Sequence, residues 1–106
     1  MGEIADLTVV LENALTFLGQ RIHIDAAYLF GSQLAGNTHP DSDIDLAVFS
    51  PDVEKMRFME RVRLGSALAS ECRAAVELHL YPSRALANAR PTNFAGHIIA
   101  HGKRLM

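Results

Sequence analysis

Between Ile4 and Gln20 the apolar residues Leu7, Val10, Leu11, Leu15 and Leu18 recur at three- and four-residue steps, the spacing of an amphipathic helix. The period then changes. Ile24 to Phe30 is apolar except for Asp25, carries Tyr28, Leu29 and Phe30 at its end and stops at Gly31, which predicts a largely buried first strand. Residues Gly36 to Ser42 are rich in turn formers, and Pro40 pushes His39 out of helical geometry, so this stretch reads as a loop. From Asp43 to Phe49 polarity alternates, with Ile44, Leu46 and Val48 on one face of a second strand and Asp43, Asp45 and Ala47 on the other.

Ser50 suits an N-cap and Pro51 a first helical position, so a second helix is expected from there to about Cys72. Met56, Met59, Val62, Leu64 and Leu68 supply its inner face, and Gly65 weakens it by about 1 kcal/mol relative to alanine. Ala74 to Tyr81 alternates again, placing Val76, Leu78 and Leu80 opposite Glu77, His79 and Tyr81 on a third strand that Pro82 ends. A last helix runs from Pro91 or Thr92 through Phe94, Ile98 and Ile99 to a Gly102 cap, leaving Lys103 to Met106 as a tail. With no repeat, linker or low-complexity stretch, the pattern predicts one α/β domain over residues 1–106, a small mixed sheet flanked by helices.

A length of 106 residues supports a single core but no separate substrate domain, so specificity beyond the site itself is expected to come from a partner. Apolar residues at 49% and charged residues at 21% are ordinary for a globular chain. A net charge of -2, with scattered cations, supplies no field for non-specific nucleic-acid binding. The one cysteine, Cys72, forms no internal disulfide and reads as a small buried apolar residue. Neither a secretory signal nor a membrane-spanning apolar run is visible, so a cytoplasmic location is expected.

The candidate chemistry sits where the first two strands meet their loop. Gly31 lacks a Cβ and lets the backbone approach a phosphate, while the Ser32 hydroxyl and the backbone NH groups of Ser32 to Ala35 can hold a triphosphate. Asp43 and Asp45, two apart on a strand, project from the same face with Cα atoms roughly 7 Å apart. Magnesium relieves the repulsion between two such carboxylates and takes triphosphate oxygens as its other ligands. Taken singly, the Gly-Ser pair is an ordinary turn, and an isolated Asp-x-Asp solubilises a strand start or closes a turn. Chance places all four residues at this spacing in roughly one chain in a thousand of this length.

Gly31-Ser32, ten intervening residues, then Asp43-Ile44-Asp45-Leu46 resembles the signature of the DNA polymerase β-type nucleotidyltransferase superfamily. Within it the chain is similar to the minimal nucleotidyltransferases, including antitoxins paired with HEPN-domain toxins. The match in specific residues spans Gly31 to Leu46 and includes Gly36 and Pro40-Asp41-Ser42, while the order of elements fits along nearly the whole chain. The resemblance implies binding of ATP with magnesium, two ions in all, and transfer of AMP to an acceptor hydroxyl, a tyrosine of a HEPN toxin partner. It also implies a third carboxylate on a later strand, and the matching position is Glu77, where the family usually carries aspartate. The extra methylene moves the carboxylate by about 1 Å, and a misplacement of that size can cost about a hundredfold in rate. A second departure is local: Gln33 and Ala35 stand where the group often carries basic residues.

The expected site is therefore Gly31 and Ser32 for the triphosphate, with Asp43, Asp45 and Glu77 for metal and catalysis. An alternative is a nucleotide-binding antitoxin that neutralises its partner by contact, with Glu77 marking lost catalysis. Transfer to a small molecule is disfavoured because no substrate domain follows. His97 and His101, four apart, read as a surface pair because no further ligand stands at zinc spacing. His79 shares a strand face with Glu77 and could orient it or touch substrate, though it reads first as a solvated histidine, and His39 fits an ordinary loop position as well as a phosphate contact. Met56, Phe58 and Met59 are assigned to the core, with part of the group available to a partner.

Overall fold

The computed structural model describes residues 7–31 and 44–106. Ile4, Ser32 to Ser42, His39 among them, and Asp43 lie outside the described residues. Helix α1 (Leu7–Gly19) leads to strand β1 (Ala26–Phe30), and strand β2 (Ile44–Ser50) is followed by a 3-10 turn over Pro51–Lys55. Helix α2 (Phe58–Cys72), strand β3 (Val76–Pro82), a short α3 (Arg84–Ala87), α4 (Phe94–His101) and a two-residue strand β4 (Lys103–Arg104) complete the order.

The sheet runs β3-β2-β1-β4. β2 pairs antiparallel with β1 and parallel with β3, and β4 pairs antiparallel with the other edge of β1, so the sheet is mixed as expected. The alternation along the strands sorts side chains into two layers. Ile44, Leu46 and Val48 join Ala27, Leu29 and Val76 beneath α1 and α2, where Val10, Leu11, Leu18, Leu64 and Leu68 close the larger core. On the opposite face Ala26, Tyr28, Ala47 and Phe49 pack against Ala95 and Ile98 of α4, with Phe30 and Tyr81 alongside. α4 covers part of this second face, and Asp45, Glu77 and His79 occupy the same face beside it.

The expected second helix is in fact two elements. Ser50 is fully buried and its Oγ accepts the Asp52 NH at 3.1 Å, capping the 3-10 turn with Pro51 at its start. Met56 and Arg57 are extended, and α2 begins anew where the Glu60 carboxylate accepts the Arg57 NH at 2.7 Å. The break resets the helical phase. Leu64, Leu68 and Cys72, at steps of four, form the buried stripe, whereas Met59 and Val62, expected inside, are 52% and 42% exposed. Phe58 is likewise exposed, and only Met56 of its group packs against the core.

The last helix starts at Phe94 because Asn93, not Pro91 or Thr92, caps it. The Asn93 Oδ1 accepts the NH groups of Gly96 and Arg90, and its Nδ2 donates to the Asn88 carbonyl. Gly96 is required at that turn, since a Cβ there would collide with the Arg90 backbone. Gly102 caps the helix as expected, donating its NH to Ile98 at 2.6 Å. The expected tail is ordered against β1: Lys103 opposes Leu29, Arg104 opposes Tyr28, and the Leu105 NH donates to the Ala27 carbonyl. Among the described residues no helix is long and apolar enough to cross a membrane.

Leu68 is fully buried where α2 meets the sheet, so Leu68→Ala is expected to lower unfolding free energy by about 2–5 kcal/mol, measured by urea denaturation. Cys72 is buried with its thiol against the Val10 carbonyl, and burial first, then Glu71, raises its pKa above the ordinary 9.0. Burial likewise raises the Tyr81 phenol above 10.0. Both groups hold their protons more tightly folded than unfolded. Their contribution is complete below those ordinary values and is lost as pH rises through the folded ones. Thermal melts should accordingly show stability falling from about pH 9 upward, and Cys72 should resist thiol reagents until the chain is unfolded.

Candidate functional site

β1 ends at Gly31 with φ +89°, a left-handed conformation that glycine adopts without steric cost. Its pairing places Phe30 opposite Asp45 on β2, so the strand end and the aspartate are neighbours. The approach is close enough that a Cβ on Gly31 would overlap the Asp45 carboxylate. Glycine is therefore demanded twice at this position, by backbone conformation and by the carboxylate beside it.

Parallel pairing of β2 with β3 sets Asp45 directly against Glu77, and the next pair on that face is Ala47 with His79. Ala47, fully buried, is small enough to leave room above it. His79 leans across toward Asp45, with Nε2 3.3 Å from Asp45 Oδ1 and 3.5 Å from Glu77 Oε1. The imidazole thus lies between the two carboxylates. Asp45 and His79 are sheltered, their side chains 23% and 26% exposed, whereas Glu77 at 56% opens to solvent. The Phe30 ring stands 5.0 Å from the imidazole at an interplanar angle of 63° and limits its movement from the other side.

Aromatic rings continue from this corner under α4. Phe94 approaches both Phe30 and Tyr81 with centroids 6.0 Å away, and Tyr81 stacks on Phe49 at 5.3 Å. Between Phe30, Gly31 and the α4 residues Phe94, His97 and His101 lies a cleft of about 290 Å³. His97 and His101 are both exposed with rings 4.6 Å apart, as a surface pair should be.

Three of the five expected site residues, Gly31, Asp45 and Glu77, converge at one corner of the sheet. Ser32 and Asp43 lie outside the described residues. Asp45, Glu77 and His79 each offer a ligand atom, all within 4.8 Å of one another, and such a set can hold a divalent cation. The reading of His79 as a solvated residue is corrected: it is half-buried and reaches both acids. Alternation had put it on the correct face, but its reach to Asp45 depends on the strand pairing and on the small Ala47 beneath.

The model of the polymerase beta nucleotidyltransferase family matches residues 12–106. No curated protein is similar enough to match. Among solved structures, a chain of a toxin–antitoxin crystallised with AMP-PNP is 28% identical with a TM-score of 0.68, the match covering 90% of this chain and 71% of that one. A chain from a mutant of the toxin–antitoxin MntA-HpeT is 25% identical with a TM-score of 0.65, covering 90% and 70%. The mixed sheet, the glycine closing β1 beside Asp45, and a family match over nearly the whole length agree: this chain belongs to the polymerase β nucleotidyltransferase family.

Proposed function

We propose that this chain transfers AMP from ATP to a hydroxyl, a tyrosine of a HEPN-type toxin, and thereby acts as that toxin's antitoxin. The observation that carries the reading is the meeting of Asp45 and Glu77 on adjacent strands beside Gly31, whose missing Cβ leaves room for the Asp45 carboxylate. The toxin–antitoxin nature of both similar structures, one of them holding an ATP analogue, supports the partner and the nucleotide.

In this proposal Gly31 and Ser32 receive the triphosphate, the glycine by leaving the backbone bare and the serine by its hydroxyl and NH. Asp43, Asp45 and Glu77 hold two magnesium ions. The facing carboxylates of Asp45 and Glu77 fit such ions, because a hard cation accepts oxygen ligands and relieves their mutual repulsion. When bound, the ions neutralise charge on the transferring phosphoryl group and on the departing pyrophosphate. The acceptor oxygen bonds to the α-phosphorus as the bond to pyrophosphate breaks. Glu77, open to solvent, can take the hydroxyl proton.

The exposure of Glu77, on an outer strand, also favours a second reading, nucleotide binding with neutralisation by contact alone. Asp45→Asn separates the two. Transfer requires it to lower AMP incorporation into the partner, followed by mass spectrometry, by about a hundredfold or more while the complex stays intact. Full neutralisation of the toxin by that variant would instead select the contact reading, and absence of pyrophosphate release and of AMP-modified partner with the unaltered chain would reject transfer. Gly31→Ala is expected to abolish detectable ATP binding in calorimetry, because its Cβ would displace the Asp45 carboxylate. Unchanged ATP affinity in a folded Gly31→Ala protein would overturn the proposed phosphate approach.

A further inference from the structure

The corner proposed to hold metal contains a ligand type that a magnesium site does not call for. Magnesium favours oxygen donors and dehydrates reluctantly, whereas imidazole nitrogen suits first-row transition ions. His79 Nε2 lies 3.3 Å from Asp45 Oδ1 and 3.5 Å from Glu77 Oε1, both longer than a strong ion-paired hydrogen bond of about 2.7–2.9 Å. They are instead close to the spacing of two ligand atoms on one ion with bonds of about 2.0–2.2 Å, which is about 3.0 Å in octahedral and about 3.4 Å in tetrahedral geometry. His79 Nε2 thus stands at separations from both carboxylates that one cation can bridge, the three donors from two strands lying within 4.8 Å of one another.

The surroundings fix the nitrogen in that place. Ala47, its small register partner on the neighbouring strand, presents only a methyl group beside the imidazole, and Phe30 flanks the ring at 5.0 Å. Asp45 is in turn confined by Gly31. We infer that His79 is a ligand of the ion held by Asp45 and Glu77, and that this corner therefore takes Mn2+ in preference to Mg2+. The inference rests on the proposed metal seat of Asp45 and Glu77 and adds its nitrogen ligand and its choice of ion. Mn2+, a first-row transition ion, takes an imidazole nitrogen more readily than Mg2+, which would have to exchange a water oxygen for nitrogen.

The test uses Mn2+ as a paramagnetic probe on the full chain, with pulsed electron paramagnetic resonance to detect nitrogen coupling and calorimetry to compare Mn2+ with Mg2+. The expected result is imidazole-nitrogen modulation in the unaltered chain, lost in His79→Ala, together with a fall of about tenfold in the ratio of Mn2+ to Mg2+ affinity. His79→Gln, which keeps most of the side-chain volume but lacks the imidazole, should lose the modulation in the same way and replaces the alanine variant should that one melt early. Mn2+ binding that Asp45→Asn abolishes, yet without nitrogen modulation, would overturn the inference and leave the metal seat standing. An affinity ratio unchanged by His79→Ala would overturn it too. Mn2+ binding that Asp45→Asn leaves unaltered, or no Mn2+ binding at all, would overturn both the inference and the seat on which it rests.

Discussion

The parallel pairing of β2 with β3 is the constraint on which the rest of the molecule depends. β2 is buried on both faces from Leu46 to Ser50, as β1 is from Ala26 to Leu29, so its register against its neighbours cannot slip without turning its apolar rows to solvent. Once Leu46 is matched to Leu78, Asp45 must face Glu77, and the two acids are brought together by the same hydrogen bonds that assemble the core. Placing like charges side by side opposes folding, and the apolar burial on either side of them offsets it. The site is therefore a by-product of a register that hydrophobic packing chooses.

That dependence explains which parts could be read from the chain. Alternation was legible wherever a strand divides its side chains between two layers: Ile44, Leu46 and Val48 were assigned to one face and Asp45 and Ala47 to the other, as the structure has them. Gly31 and Asp45 were legible because each carries a local physical demand, a bare backbone or a charge to be shared, while Ser32 and Asp43 lie outside the described residues. What failed was information held between elements. Periodicity did not reveal that Met56 and Arg57 would be extended, because the carboxylate of Glu60 starts a new helix there and shifts the buried stripe to Leu64, Leu68 and Cys72. Nor could it reveal β4, since two residues carry no period and pair only because β1 offers them a free edge. The four residues of α3 escaped for the same reason.

His79 is the most instructive miss. Its face was assigned correctly, yet a histidine beside a glutamate on a half-open strand is usually solvated, and nothing local to His79 marks its reach to the aspartate 34 positions earlier. The strand pairing supplies the neighbour, Ala47 supplies the room, and Phe30 supplies the confinement. A strand pairing and two residues with ordinary roles in packing turn an unremarkable imidazole into part of the polar corner.

The short strand β4 has a consequence for how the nucleotide would be received. Because Lys103 and Arg104 bond one edge of β1 while β2 bonds the other, the strand that ends at Gly31 is clamped along both sides. The conformational freedom of that backbone is surrendered during folding, before any ligand arrives. In the proposed function a triphosphate approaching Gly31 would meet a strand that needs no further ordering, and its affinity would not be reduced by the entropy of immobilising β1.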